Sequence, residues 1–175
     1  MARERIAVQV QVEVPPSVSW ALMSDFSLAH KYVPGIIATK VLEGPSRGID
    51  AHRLVYDKSG KAIDETVIEW IEDSGFKIRL HQGEKPLVPF TYAQFDYHMS
   101  PGEKNTTVVE LAMLFELPWG RLGRILSKMI FRPTIQNRVV GVAAGLKAYY
   151  ESGEASCTKA YIERLKPEVR ILPPA

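Results

Sequence analysis

Two carboxylates and a tyrosine are the residues with which this chain could do chemistry. Glu65 and Glu69 lie in a strand-like segment whose two faces both mix polar and apolar residues, so alternation does not decide which side chains point inward. An inward glutamate among apolar side chains could act as a general acid or base, with Tyr97 polarising a carbonyl group. Alternatively, both glutamates lie outside or pair with Arg53 or Arg79 across the sheet.

Motifs of other catalytic and metal-binding classes are missing. Serine hydrolases need a Gly-x-Ser-x-Gly elbow and nucleotide-binding proteins a glycine-rich phosphate loop, and the sequence contains neither. Cys157 is the only cysteine, which excludes a cysteine-based zinc site. We expect neither a metal nor a cofactor, because no His-x-x-x-His spacing occurs among His30, His52, His81 and His98.

Composition favours a soluble chain with a full core. The 175 residues are 46% hydrophobic, and Lys plus Arg total 22 against 20 for Asp plus Glu, so no global positive field points to nucleic acid. The N-terminal segment alternates instead of forming the continuous apolar stretch of a signal peptide. Charged residues keep the last helical segment short of the ~18 apolar residues of a membrane span, so we expect a cytoplasmic protein.

Alternation and turn residues predict the elements that position these groups. Residues 6–14 alternate cleanly, which predicts a half-buried strand with inward Ile6, Val8, Val10, Val12 and Val14. Two short helices follow at about 17–23 and 25–31. Short turns then separate six further strands in an antiparallel meander, at about 36–43, 50–56, 61–72, 75–82, 91–100 and 105–117.

A long apolar helix is predicted from Trp119 to Ser152, because apolar residues recur there at spacings of three and four. Pro133 lacks a backbone donor and predicts a kink or break near Phe131. The helix is expected to end at Gly153, which divides the chain into a domain at 1–153 and a tail at 154–175.

Strand parity also predicts which side chains would line a cavity under this helix. On the fifth strand Ile78 and Leu80 should face inward and His81 outward; on the sixth, Tyr97 inward and His98 outward. The predicted ligand-binding set is aliphatic and aromatic: Leu54, Tyr56, Ile78, Leu80, Phe95, Tyr97, Leu111, Met113, Ile135, Val139 and Val142. Such a lining suits an apolar ligand held by one or two hydrogen bonds, although the same side chains could simply fill a core.

The order of elements resembles the START-like, or Bet v 1-like (SRPBCC), superfamily, and within it the polyketide cyclase/dehydrase and lipid-transport group. The shared positions are Pro15 or Pro16, Trp20, Asp25 and Tyr32-Val33-Pro34, and the similarity covers residues 6–151. Tyr32 stands where the family more often has Trp. The resemblance implies an α+β helix-grip fold, in which a curved antiparallel sheet of about seven strands wraps around the C-terminal helix and encloses a hydrophobic cavity.

Two peripheral segments could serve such a cavity. A proline-stiffened loop, which we expect at the entrance, contains Pro86, Leu87, Val88, Pro89 and Phe90. A basic stripe opposite Leu122, Ile125, Leu126, Met129 and Ile130 could touch an anionic membrane surface or simply be solvated, and consists of Arg121, Arg124, Lys128 and Arg132.

Three functions remain open from the sequence. The first is binding, or transport, of a hydrophobic small molecule such as a lipid, polyketide, quinone or aromatic compound. The second is a cyclase or dehydratase that uses an inward Glu65 or Glu69 with Tyr97. The third is a protein-interaction module whose core is filled. The sequence is compatible with a monomer or a homodimer.

Overall fold

The computed structural model describes residues 3–118, 127–154 and 159–173. Its strands are β1 Glu4–Val12, β2 Ile36–Val41, β3 His52–Asp57, β4 Ala62–Ile71, β5 Gly75–Gln82, β6 Lys85–Pro86, β7 Tyr92–Pro101, β8 Thr107–Glu116 and β9 Arg170–Ile171. Its helices are α1 Pro16–Ser24, α2 Ala29–Tyr32, α3 Arg132–Ser152 and α4 Lys159–Leu165. A π-helical turn at Ser127–Phe131 precedes α3, and 3-10 turns lie at Glu103–Asn105 and Lys166–Glu168.

The sheet is antiparallel, with strand order β2-β3-β4-β5-β7-β8-β1-β9 and the two-residue β6 on β5. All seven predicted strands are present, and the short β6 and β9 are additions. Helix α3 packs mainly against β1. The α+β helix-grip arrangement expected from the order of elements is therefore confirmed.

Alternation placed the inner faces of most strands correctly. Four of the five predicted inward side chains of β1 are buried, and Val14 packs against the same core. Phe76 and Ile78 on β5 are buried, as are Phe95 and Tyr97 on β7, whereas their neighbours Lys77 and His98 lie on the opposite face. One apolar face per strand explains this success, because it determines the register of an antiparallel pair.

Helix α3 ends where Gly153 predicts, and residues 119–126 of the predicted helix lie outside the described residues. Pro133 is the second residue of α3, and the chain changes from π-helical to α-helical geometry between Phe131 and Arg132, at the position where Pro133 predicts a kink or break. Gly153 closes the helix with a left-handed φ of 70°, and its N–H donates to the carbonyl oxygen of Tyr149 at 2.8 Å.

The first short helix agrees with expectation and the second is shorter. Asp25 does not begin α2: its carboxylate accepts hydrogen bonds from the N–H and hydroxyl of Ser27, at 3.0 and 2.6 Å, and forms a turn. Helix α2 then approaches α3 closely. A Cβ on Gly145 would lie 2.2 Å from the carbonyl oxygen of Tyr32, so this crossing requires glycine.

The C-terminal segment packs against the rest of the chain. Strand β9 pairs with β1, and the Leu172 N–H donates to the Ala7 carbonyl oxygen at 2.9 Å. Lys147 on α3 lies 2.8 Å from Glu151 and 3.4 Å from Glu168, which fastens the segment to the helix. Burial lowers the pKa of Lys147, but its hydrogen bond to Glu151 outweighs this effect and raises it.

Candidate functional site

A buried ion pair lies in the interior between the sheet and the helices. Residue 53 on β3 is the cross-strand partner of residue 65 on β4, which brings Arg53 Nε to 2.6 Å from Glu65 Oε2. Arg53 Nη1 donates to the Phe26 carbonyl oxygen at 2.9 Å, and the guanidinium lies 4.1 Å from the centre of the Phe26 ring. The exposed fraction of the Arg53 side chain is 1%, and that of Glu65 is 12%. This ion pair is thus largely removed from water.

Electrostatics hold Arg53 in its charged form. Burial alone would lower the pKa of this guanidinium, but the charge of Glu65 and the neighbouring Tyr32 and Tyr97 raise it above its ordinary value. The centre therefore keeps a fixed positive charge with a carboxylate beside it. A fixed buried cation attracts an oxygen-rich group more strongly than one in water would.

Three tyrosines surround this ion pair, one from each layer of the fold. Tyr32 comes from α2, Tyr97 from β7 and Tyr150 from α3, and the Tyr32 ring centre is 6.5 Å from that of Tyr97 and 6.4 Å from that of Tyr150. Burial raises the pKa of Tyr97 and of Tyr150 well above 10.0, so both phenols stay protonated and can donate. We call these three tyrosines, together with Arg53 and Glu65, the interior polar centre.

Two donors of the interior polar centre lack an acceptor. Among the described residues, Arg53 Nη2 and Tyr150 Oη are buried side-chain atoms without a hydrogen-bond partner. An unsatisfied buried donor costs about 1–3 kcal/mol, so the centre favours any oxygen atom that can reach both groups. The arrangement is suited to binding a carbonyl, carboxylate or hydroxyl oxygen.

A groove of about 770 Å³ lies beside this centre, between α3 on one side and the α2–β2 segment on the other. Its apolar lining consists of Val33, Pro34, Ile36, Ile37, Val142 and Ile162. Tyr32 lines the groove and also belongs to the interior polar centre, so this residue is common to the two sites. Helix α4 and the residue after it close the outer side. We call this space the α3 groove.

The structure resolves the open question about the two glutamates. Glu65 faces the interior and pairs with Arg53, whereas Glu69 faces out and accepts a hydrogen bond from Lys77 at 2.7 Å. A register shift between Val67 and Glu69 separates them. Tyr97 is buried in the same centre as Glu65.

Among the predicted lining residues, the inward assignment is wrong for Leu54 and Tyr56. Arg53 and Val55 are the buried residues of β3, so Leu54 and Tyr56 lie on the opposite face, where Leu54 is the cross-strand partner of Lys40 and Asp64. The hydrophobic pattern misled because the inward position holds a charged side chain that is satisfied by Glu65. The other predicted lining residues pack in or against the core: Ile78, Leu80, Phe95, Tyr97, Leu111, Met113, Ile135, Val139 and Val142. Of these, Val142 also lines the α3 groove.

The proline-stiffened loop packs at another part of the molecule. Leu87 is buried, and the Phe90 ring lies 5.6 Å from Phe115 and 6.3 Å from Phe131, while Val88 is 74% exposed. The α3 groove is not lined by any residue from 83 to 90. The role of the proline-stiffened loop as an entrance remains a prediction.

Most of the basic stripe lies outside the described residues, namely Arg121, Arg124 and the Lys128 side chain. Arg132 is described and pairs with Glu4 at 3.6 Å. Met129 and Ile130, predicted on the apolar side of the stripe, are 74% and 56% exposed. Within residues 3–118, 127–154 and 159–173, no helix has the length and hydropathy to cross a membrane.

Two histidines of the outer face, His52 and His81, make hydrogen bonds to neighbouring protein groups. His52 Nε2 lies 2.9 Å from Asp64 Oδ1, and His81 lies between the Thr66 hydroxyl and the Gly83 carbonyl oxygen at 2.8 and 2.6 Å. Across the described ranges, no group of three or more His, Cys, Asp and Glu side chains is placed to hold a metal ion.

Residues 3–151 match the family described as polyketide cyclase / dehydrase and lipid transport. The chain belongs to this family. Helix α4, which contributes residues to the lining of the α3 groove, lies C-terminal to the matched residues. No curated protein sequence matches the chain.

Several solved structures share the fold of this chain, although their sequence identity to it is low. Ara h 8.0201 is 12% identical, with a TM-score of 0.64 over 85% of this chain and 98% of its own. A Thermobifida fusca protein is 22% identical, with a TM-score of 0.62 over 86% of this chain and 93% of its own. Norcoclaurine synthase from Thalictrum flavum, in complex with dopamine and hydroxybenzaldehyde, is 14% identical, with a TM-score of 0.63 over 84% of this chain and 86% of its own. The Bet v 1-like fold is thereby confirmed.

Sequence reasoning missed three members of the interior polar centre. The sequence suggested Arg53 as a cross-strand partner for a glutamate but not as a buried residue, and it indicated Tyr32 only as a family position. Tyr150 follows Leu146 by four residues and Val139 by eleven, so it shares their buried helical face. That spacing could have identified Tyr150 from the sequence.

Proposed function

We propose that this protein binds a hydrophobic small molecule in the α3 groove, with an oxygen atom of the ligand directed towards the interior polar centre. The observation that carries the proposal is the groove of about 770 Å³, whose wall includes Tyr32. Ligand sites commonly have about 300–1,000 Å³ and a mainly apolar lining with a few polar groups. The family's description and fold support this class of function.

Binding can be tested with two matched surface isoleucines and an uncharged, environment-sensitive dye such as Nile red. Ile37 lines the groove and is 55% exposed, whereas Ile49 lies outside it and is 51% exposed. We expect the wild-type chain and Ile49→Asn to bind the dye alike. Ile37→Asn should weaken binding by about fivefold, since a polar amide replaces buried apolar contact. Equal affinities in the two variants, or no saturable binding by the wild type, would overturn the proposal.

The inward position of Glu65 favours a second candidate, a cyclase or dehydratase. In this reaction the Glu65 carboxylate would remove a proton from a carbon next to a carbonyl group, and the Tyr97 phenol would donate a hydrogen bond to that carbonyl oxygen. The test is loss of water from a linear poly-β-ketone, followed by mass spectrometry. Tyr97→Phe should slow a genuine enzymatic reaction by at least about tenfold, and dye binding should persist. A rate equal to the uncatalysed one would exclude this candidate and leave the binding proposal intact.

A further inference from the structure

Positive charge is concentrated around the α3 groove. Five of the chain's 22 basic residues line it, Lys31, Lys58, Arg138, Lys159 and Lys166, against one of its 20 acidic residues, Glu163. Because the whole chain has a formal charge of only +2, this is a local feature of one site. Basic residues outnumber acidic ones five to one in this lining, whereas the whole chain has 22 against 20.

Internal ion pairs neutralise little of this charge. Lys166 is held by Glu163 at 2.9 Å and by the Asn137 side chain at 3.2 Å. Lys31, Lys58, Arg138 and Lys159 make no ion pair within the described part of the chain. The four cations come from four different segments: α2, the β3–β4 turn, α3 and α4. All four line the groove, and an anion bound there would lower their mutual repulsion.

One histidine, His30, also lies at the edge of the groove. His30 lines the groove, and its pKa is lowered, first by burial and then by the charge of Lys31. Its ring Nδ1 lies 3.1 Å from the Thr39 hydroxyl oxygen. The uncharged ring therefore adds a polar contact to the opening without compensating the cations.

The lining of the groove consists of an apolar part and a cationic part. Ile36, Ile37, Val142 and Ile162 offer contact to an apolar body, while the basic side chains carry charged ends that can reach solvent. A neutral apolar ligand would fill the first part and leave four cations unpaired. An inorganic anion would meet the second part and leave the apolar surface open.

We propose that the ligand of the α3 groove is an anionic amphiphile, an apolar molecule with one carboxylate or phosphate group that is held by Lys31, Lys58, Arg138 and Lys159. This inference rests on the proposed function, since it names the chemical class that the same groove takes. It also assigns a role to the C-terminal segment. Helix α4, beyond the family's matched residues, supplies Lys159 and Ile162 and so contributes one contact of each kind.

The experiment compares decanoate and decyl phosphate with decanol on the full chain, by displacement of bound Nile red. We expect both anions to bind at least about tenfold more tightly than the alcohol at low salt, and the preference to shrink as salt is added. Similar preferences for both anions would indicate recognition of charge, and a preference for one would identify the head group. Equal binding of all three compounds would overturn the anionic class and leave hydrophobic binding intact. If none displaces the dye and the dye itself does not bind, the proposed function fails as well.

Charge-neutralising variants locate the head group. Arg138→Gln and Lys159→Gln should each reduce the preference for anion over alcohol by about threefold to tenfold, Lys159→Gln because α4 takes part. The matched control is Lys104→Gln, which removes an exposed charge from the Glu103–Asn105 turn, outside the groove. An unchanged preference in both groove variants, or an equal loss in the control, would refute this placement.

Discussion

The Arg53–Glu65 pair gives the sharpest test of the interior polar centre. Removing Glu65 and removing Arg53 should change the unfolding free energy with a different dependence on pH. In Glu65→Leu the guanidinium stays charged, since arginine does not lose its proton in proteins, and its exposed fraction is only 1%. Removing one partner of a buried ion pair costs about 3–5 kcal/mol. We expect this loss of unfolding free energy to be nearly independent of pH between about 5 and 7.

Arg53→Met leaves the Glu65 carboxylate without its partner. This group can avoid the cost of an unpaired buried charge by taking up a proton. A glutamate with an ordinary titration midpoint near 4.3 costs at most about 3.7 kcal/mol to protonate at about pH 7, and about 1 kcal/mol at about pH 5. The part of the destabilisation that comes from ionisation should therefore shrink by up to about 2.7 kcal/mol over this range. Loss of the bond to the Phe26 carbonyl oxygen adds about 1 kcal/mol that does not change with pH.

Urea unfolding of the two variants and of the double variant Arg53→Met/Glu65→Leu measures these quantities. Trp20 and Trp70, whose ring centres are 5.2 Å apart, provide the fluorescence signal. The double variant should be more stable than Glu65→Leu, because it leaves no unpaired buried charge. The reasoning is refuted if Arg53→Met costs the same at both pH values, or if Glu65→Leu is the mildest of the three.

Two further predictions concern the close crossing and the outer face. Gly145→Ala should lower the unfolding free energy by about 1–3 kcal/mol, because the new Cβ would lie 2.2 Å from the Tyr32 carbonyl oxygen, whereas Gly141→Ala, with 3.7 Å to Pro34, should be neutral or stabilising; equal effects in thermal unfolding would contradict this. Burial raises the pKa of Asp96 above 3.8, so the ionised side chain destabilises the fold at neutral pH and less so as the pH falls. Asp96→Asn should accordingly raise the urea midpoint at neutral pH and show no gain well below pH 3.8; a gain of equal size at both would count against burial as the cause.

The sheet could be predicted from the sequence wherever one face of a strand is uniformly apolar. On β5, Phe76 and Ile78 alternate with Lys77 and Arg79, so register and burial follow from one pattern. The change of helical geometry before α3 falls where Pro133 predicts a kink or break, because proline lacks the donor that a continuous helix needs. These are local rules that each residue type enforces on its own.

The interior polar centre could not be predicted by the same rules, because it violates them. The inward residue of β3 is Arg53, and hydrophobicity therefore selected Leu54 and Tyr56 on the wrong face. On β4, a bulge between Val67 and Glu69 changes which residues face inward, so no single alternation fits the whole strand. Both departures depend on partners that are distant in sequence.

A stability argument connects these departures to the proposed binding role. A buried ion pair is often no more stabilising than apolar residues of similar volume, and two buried donors without acceptors are a further cost. The fold itself therefore gives little reason for Arg53 and Tyr150 to meet in its interior. A ligand oxygen that satisfied Arg53 Nη2 and Tyr150 Oη would recover that cost as binding energy, and Tyr32 is the residue that the groove and the centre have in common. The free energy that folding leaves uncompensated would then be recovered at the point where the ligand binds.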